Sequence, residues 1–203
     1  MSKLKNIKVA ITGNIGSGKS TFTKFLFEEG YPIILADDIS KEILACDPEV
    51  RKEVVNEFGA ESFLGHKINK KYLADKIFSD PKKLKKINSI LHPRVRKRID
   101  FLSKEYFKEY DIVFVEAALI FESKIETFYD YIVLITADRA LRMNRSILTK
   151  KITKEDFVNR DSNQMNDETK KKKADFIFTN DGSISELKQK AILLIKLLKP
   201  TRK

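Results

Sequence analysis

Residues 13–21 read Gly-Asn-Ile-Gly-Ser-Gly-Lys-Ser-Thr, a G-x-x-x-x-G-K-[ST] pattern, and they constrain the fold more than any other stretch of the chain. Before them lies a β-rich run, Lys8 to Thr12; after them, Lys19 to Glu29 carries Phe22, Phe25 and Leu26 at helical spacing. Strand, glycine turn and helix in that order aim successive backbone N–H groups, and the positive end of a helix, at one point. The pattern predicts a phosphate cradle formed by Gly13, Asn14, Ile15, Gly16, Ser17, Gly18, Lys19, Ser20 and Thr21. Lys19 would reach the β and γ phosphates of ATP, and Ser20 would offer its hydroxyl to Mg²⁺.

The rest of the chain supplies strands and helices in alternation, which predicts an α/β fold with a parallel sheet. Tyr31 to Ala36 reads as a second short strand leading into Asp37 and Asp38. Residues 39–108 are helical by pattern, broken at Pro48, 59–65, Pro81 and Pro93, and read as an insertion. Asp111 to Val115, Tyr131 to Thr136 and Phe176 to Thr179 read as further strands. Between the last two, 139–173 is highly charged with few apolar positions and reads as a lid. Ile184 to Leu198 repeats Ile184, Leu187, Ala191, Leu194, Ile195 and Leu198 at the spacing of a helix with one apolar face. The expected organisation is one unit of 203 residues: core at about 1–38, 109–138 and 174–203, helical insertion at about 39–108, lid at about 139–173.

Composition narrows the function classes. The longest apolar runs, such as Ile112 to Val115, fall far short of a membrane span, and Met1 to Lys8 lacks the pattern of a secretory signal. A soluble cytoplasmic enzyme is expected, with no membrane and no obligate protein partner. The single cysteine, Cys46, cannot close an intrachain disulfide, and 2 His cannot build a Cys/His zinc cluster. The net charge of +11, with 31 Lys among 40 basic residues, is compatible with nucleic acid, an anionic membrane surface or a polyanionic substrate, but Lys82–Lys86, Lys150–Lys154 and Lys170–Lys173 are better read as solvated helix faces or mobile loops. No nucleic-acid partner is expected.

A phosphate cradle leaves the reaction open. No N-K-x-D segment for guanine is present, and the chain is short for most motor ATPases, so a small-molecule kinase leads. A kinase needs a group that orients or deprotonates the acceptor hydroxyl, and Asp37, at the predicted end of the second strand, is the candidate; Asp38 competes, or caps a helix starting near Ile39. Glu116, following Ile112 to Val115, stands where an acid could hold Mg²⁺ near Ser20. Arg142, Arg145 and Arg160 lie in the lid, where arginines stabilise charge on a transferred phosphoryl group.

Further motifs are spread along the chain: Pro32 to Ile39 ending in Ala-Asp-Asp-Ile, Leu91-His92-Pro93, Leu119-Ile120-Phe121-Glu122, Arg160 with Gln164, and Ala174-Asp175-Phe176-Ile177 followed by Asn180-Asp181-Gly182. Together with 13–21 this set resembles the dephospho-CoA kinase family over nearly the whole chain. The resemblance implies a P-loop three-layer sandwich with a helical substrate-binding insertion and a lid. It implies transfer of the ATP γ-phosphate to the ribose 3′-hydroxyl of dephospho-CoA, with Asp37 as acid-base residue. It puts Arg145 and Arg160 over the phosphates, Asn180 and Gly182 near the adenine, and His92, Pro93, Leu119, Phe121 and Glu122 on the substrate side. The chain departs from the family pattern at Leu35, where a first Asp is usual; at Ala118, where a proline is; and at Thr149, a common arginine position for which Lys150 or Lys151 could compensate. Two alternatives remain at this point: a nucleoside or nucleotide kinase of similar architecture, and a nucleic-acid-dependent ATPase suggested by the charge.

Overall fold

The computed structural model describes residues 6–78 and 80–199; the N-terminal Met1 to Lys5 of the signal-sequence argument lie outside them. The chain divides into two compact units, 1–34 with 103–203, and 35–102, with the second boundary inside a long helix.

The first unit is built on a five-stranded sheet. Its strands are β1 (Ile7–Thr12), β2 (Ile33–Leu35), β5 (Ile112–Glu116), β6 (Tyr131–Thr136) and β7 (Phe176–Thr179), in the order β2-β5-β1-β6-β7. β1 runs parallel to β5 and β6, and β6 parallel to β7, with Ile11 opposite Glu116 on one side and Val133 on the other. Near-continuous apolar sequence in β1 and β6 is what a strand covered on both faces requires. Val9, Ile11, Phe114, Val133 and Ile135 are accordingly buried with Phe22 and Leu26 of α1 (Lys19–Glu28) and with Leu187, Ala191 and Leu194 of α9 (Ile184–Leu198). Each large apolar side chain so covered contributes about 1.5–3 kcal/mol relative to exposure. Ile184, counted above with the apolar face of α9, is instead exposed: it is the first residue after the Ser183 cap, beyond the reach of the sheet. A parallel sheet whose connections diverge on either side of β1 presents the loops after its strands as the place for a ligand.

Residues 139–173 form α6 (Arg139–Lys150), α7 (Lys154–Ser162) and α8 (Asp167–Lys171). They hold more core than their composition suggests: Phe157 and Lys170 are 0% exposed and Arg142 5%. The run Lys170–Lys173 is therefore no uniform solvated face, since its first lysine is buried. The side chain of Lys150 lies outside the described residues.

The second unit packs helices α2 (Ala36–Cys46), α3 (Pro48–Phe58), α4 (Lys70–Phe78) and most of α5 (Pro81–Tyr106) with a small antiparallel hairpin, β3 (Phe63–Leu64) and β4 (Lys67–Ile68). Its core gathers Val50, Val54 and Phe58, one turn apart on α3, against Phe63, Leu73, Ile87, Ile90 and Leu91. Three expectations are corrected here. The second strand stops at Leu35, so Asp37 sits in the first turn of α2, one residue inside the helix. Asp38 does not cap that helix, which starts at Ala36 with no side-chain cap. Pro93 does not end a helix; it lies inside the 26-residue α5, whose packing through Ile87, Ile90, Leu91 and Val95 carries it across the missing N–H. His92 is accordingly mid-helix rather than at a helix end.

Candidate active site

The loop from Gly13 to Gly18 leaves β1 and enters α1, and its glycines are dictated by close approach. Gly16 has φ +77°, and a Cβ there would strike the Arg142 carbonyl and Ser146 Oγ of α6. Gly18, at φ +97°, faces the Asn180 amide, which donates from Nδ2 to the Ser17 carbonyl at 2.8 Å. Both positions need a residue without a side chain, for backbone conformation and for space.

Lys19 donates from Nζ to the carbonyls of Gly13 (2.7 Å) and Asn14 (3.3 Å), which lays its ammonium across the loop. Ser20 Oγ donates to Glu116 Oε1 at 2.7 Å, and Thr23 Oγ1 to Glu116 Oε2 at 2.6 Å. The acid at the end of β5 thus meets the hydroxyl that follows Lys19, because parallel pairing sets Glu116 beside Ile11 while the loop turns back over the same edge of the sheet.

The far side of the loop is held by Arg142 and Gln164, both named from the sequence, together with Arg139, Asp161 and Met165, which the sequence did not single out. Ile15 N–H donates to Gln164 Oε1 at 2.8 Å, and Asn14 Nδ2 to the Met165 carbonyl at 3.1 Å. Arg142 Nη1 approaches the Ile15 carbonyl at 3.3 Å and pairs with Asp161 Oδ1 at 2.6 Å; Arg139 Nε takes Asp161 Oδ2 at 2.8 Å. Burial works to raise the Asp161 pKa, but hydrogen bonds and charges from Arg142 and Arg139 outweigh it and hold the carboxyl below the usual aspartate range. The sequence offered Arg142 as one of three lid arginines and Gln164 through its motif with Arg160, but nothing in it separated a buried arginine from exposed ones.

Of the other expected residues in this unit, Arg145 donates from Nη1 to the Asn180 carbonyl at 2.7 Å, joining the lid helix to the loop after β7. Gly182 follows Asn180 and Asp181, whose Oδ1 accepts from Asp138 N–H at 2.8 Å. Arg160 is exposed on α7, and Thr21 exposed on α1. After β5, Leu119 is half-buried and Phe121 only 1% exposed, so Phe121 packs beneath that segment rather than on its surface. Glu122 Oε1 accepts from Met165 N–H at 2.8 Å.

Asp37, His92 and Pro93 belong to the second unit. Asp38 pairs with Lys41 at 2.7 Å, and this hydrogen bond raises the Lys41 pKa. His92 is half-buried; burial, and then the neighbouring charge of Arg96, push its pKa below the ordinary histidine value. Pro93 is exposed.

A glycine loop closed by side chains from three other elements, with a lysine across it and a hydroxyl–carboxylate pair at its helical end, defines a P-loop phosphotransferase. The sequence goes further. A family model for dephospho-CoA kinase matches residues 7–186. The dephospho-CoA kinase of Bacteroides fragilis is 37% identical over 183 residues, 87% of this chain and 85% of that protein. Among solved structures, the dephospho-CoA kinase from Campylobacter jejuni is 29% identical with a TM-score of 0.70, covering 95% of this chain and 96% of that one. TT1252 from Thermus thermophilus is 30% identical with a TM-score of 0.80, covering 97% and 100%. The chain belongs to the dephospho-CoA kinase family, a family of ATP-dependent kinases. Among the described residues no helix is long and apolar enough to cross a membrane.

Proposed function

We propose that this chain transfers the γ-phosphate of ATP to the ribose 3′-hydroxyl of dephospho-CoA, giving CoA and ADP, in the cytoplasm where ATP is made available. Family membership over residues 7–186 supports the substrate, and the contact of Ser20 with Glu116 beside Lys19 is the observation that carries the chemistry.

In this reading the loop 13–21 holds the phosphates of ATP through N–H groups other than those of Ile15 and Ser17, which are engaged by Gln164 and the Asn14 carbonyl, with Lys19 reaching the β and γ groups. Ser20 Oγ and Glu116 Oε1, 2.7 Å apart, are hard oxygen donors of the kind Mg²⁺ takes, one or two from protein with the rest from phosphate and water. Bound to Ser20 and Glu116, Mg²⁺ would neutralise phosphate charge. Arg145 and Arg160 offer guanidinium groups to the charge that develops on the phosphoryl group in transfer. Asn180 and Gly182, after β7, are assigned to the adenine side.

On the acceptor side Asp37 is assigned to orient the 3′-hydroxyl and take its proton as the oxygen bonds to phosphorus and the bond to ADP breaks. His92 and Pro93 are assigned to the substrate in the second unit. Its lowered pKa keeps His92 neutral near pH 7, so it would act as a hydrogen-bonding group rather than a cation. Leu119 and Glu122, backed by Phe121, are assigned to the acceptor side of the first unit.

The test is ADP release by purified protein with ATP and Mg²⁺, comparing dephospho-CoA with a panel of nucleosides and nucleotides. Release with dephospho-CoA alone, with phosphate found on the 3′-oxygen of the product, is the expected result. Release driven by another panel member would keep the phosphate loop and overturn the substrate.

A further inference from the structure

Lys170 is the one lysine among the described residues that is fully buried, and the phosphoryl transfer above gives it no task. Lysine is almost never buried unless paired, because removing an ammonium from water is costly. Its partner is Glu122: Nζ lies 2.9 Å from Oε1, off the hydrogen-bonding line, so the contact is ionic. A similarly shaped apolar side chain could fill the space without that cost, so what the charge accomplishes must lie beyond Lys170 itself.

The contacts lead to the phosphate loop. Glu122 Oε1, besides meeting Lys170, accepts the Met165 N–H at 2.8 Å. The Met165 carbonyl, on the adjoining peptide, accepts Asn14 Nδ2 at 3.1 Å, and Gln164, one residue back, accepts the Ile15 N–H at 2.8 Å. Asn14 and Ile15 are the second and third residues of the loop. Lys170 also closes α8 at its C-terminal end, where its carbonyl accepts from the N–H groups of Lys173 and Ala174 at 3.0 and 3.1 Å, so its backbone is fixed independently of the ion pair.

We infer that Lys170 is a positioning residue for the phosphate loop: its buried ammonium anchors Glu122, which through Met165 and Gln164 fixes the Asn14 side chain and the Ile15 N–H. The inference rests on reading 13–21 as the ATP site. Without the anchor the partly buried Glu122 carboxylate keeps only the Met165 N–H as a partner and is free to swing toward water. The loop then loses the part of its frame that Met165 and Gln164 supply, and ATP binding pays for ordering it.

The experiment compares wild type, Lys170→Met and Lys170→Met/Glu122→Gln by calorimetric titration with MgATP and by steady-state kinetics, on protein whose thermal unfolding is cooperative. The single variant should weaken MgATP binding, titrated in the absence of dephospho-CoA, and raise KM for ATP at least tenfold, with kcat within about twofold. The double variant buries no lone charge but has only a neutral, unanchored amide at Glu122, and should raise KM for ATP about threefold. Wild-type ATP affinity in either folded variant overturns the inference, as does an equal loss in all kinetic constants, which is what a merely structural role gives. If the single variant does not fold, the double variant decides by the same criterion. Failure of the wild type itself to bind MgATP would instead overturn the ATP reading of the loop.

Discussion

Around residues 13–21 the polar side chains come from elsewhere in the chain: Glu116 from β5, Arg142 from α6, Gln164 from the turn after α7, Asn180 from the end of β7. Along α2 the pattern is different, for Asp38 meets Lys41 a single turn away on its own exposed face. The first region is fixed by long-range pairing, so its geometry is a property of the whole sheet and lid. The second is fixed by local helix geometry. Substitutions in the two should therefore fail differently, the one through binding and stability together and the other with the fold intact.

The largest expected effects set the two assigned chemical groups against each other. Lys19→Ala and Asp37→Ala should each lose activity by at least about 100-fold, the scale for removing a group aimed at the transferring charge. They should part in calorimetry: Lys19→Ala weakens MgATP binding, whereas Asp37→Ala leaves it within about twofold and loses turnover. Near wild-type turnover in the Asp37 variant would remove the acid-base assignment and with it the chemical half of the comparison.

Next in size is Gly16→Ala. Its methyl group meets the Arg142 carbonyl and Ser146 Oγ at a φ of +77°, and strain of this kind costs about 1–3 kcal/mol before any displacement of α6 is counted. Lowered thermal stability together with lost ATP binding is expected. Loss of binding with an unchanged melting temperature would mean that the loop yields without disturbing α6.

How much of this was legible in the sequence follows the same division. The phosphate loop was fully legible, since a motif whose glycines answer to backbone geometry carries that geometry in its spelling. The strands were legible from their apolar runs, and Glu116 from its place after Ile112 to Val115. Asp37 was expected at a strand end and lies in the first turn of α2: propensity carried the strand past Leu35, and the helix began without a capping side chain to announce it. Pro93 misled because a proline signals a break only where packing does not override it. Lys170 was invisible, because a lysine buried by tertiary contact and three neighbours in a lysine run are spelled alike.

The Arg142–Asp161–Arg139 cluster gives the next smaller effect. Asp161→Asn leaves the Arg142 guanidinium, 5% exposed, with the more distant Asp167 at 3.9 Å as its one carboxylate partner among the described residues. Roughly 1–3 kcal/mol of stability should be lost, the range for a buried donor left unmatched. The pH dependence has a defined sign. Because the Asp161 pKa is lowered in the folded chain, its contribution is present above the ordinary aspartate value and disappears as pH falls through the lower folded value. Urea unfolding of wild type and variant should differ at neutral pH and converge in acid. Parallel curves down to the lowest pH would show that the carboxylate charge is not what holds the arginines.

The smallest effect tests the local side of the comparison. Asp38→Ala removes an ion pair whose two side chains are 60% and 75% exposed, and such pairs one helical turn apart are worth about 0.3–0.5 kcal/mol. The loss should shrink further in high salt, where exposed charges are screened. It should also vanish at high pH: the Lys41 pKa is raised by this contact, so the stabilisation is complete below the ordinary lysine value and lost as pH climbs through the raised one. ATP affinity should not move. A change in MgATP binding on Asp38→Ala would mean that α2 is coupled to the phosphate loop, and the contrast between a long-range site and a locally held helix would no longer stand.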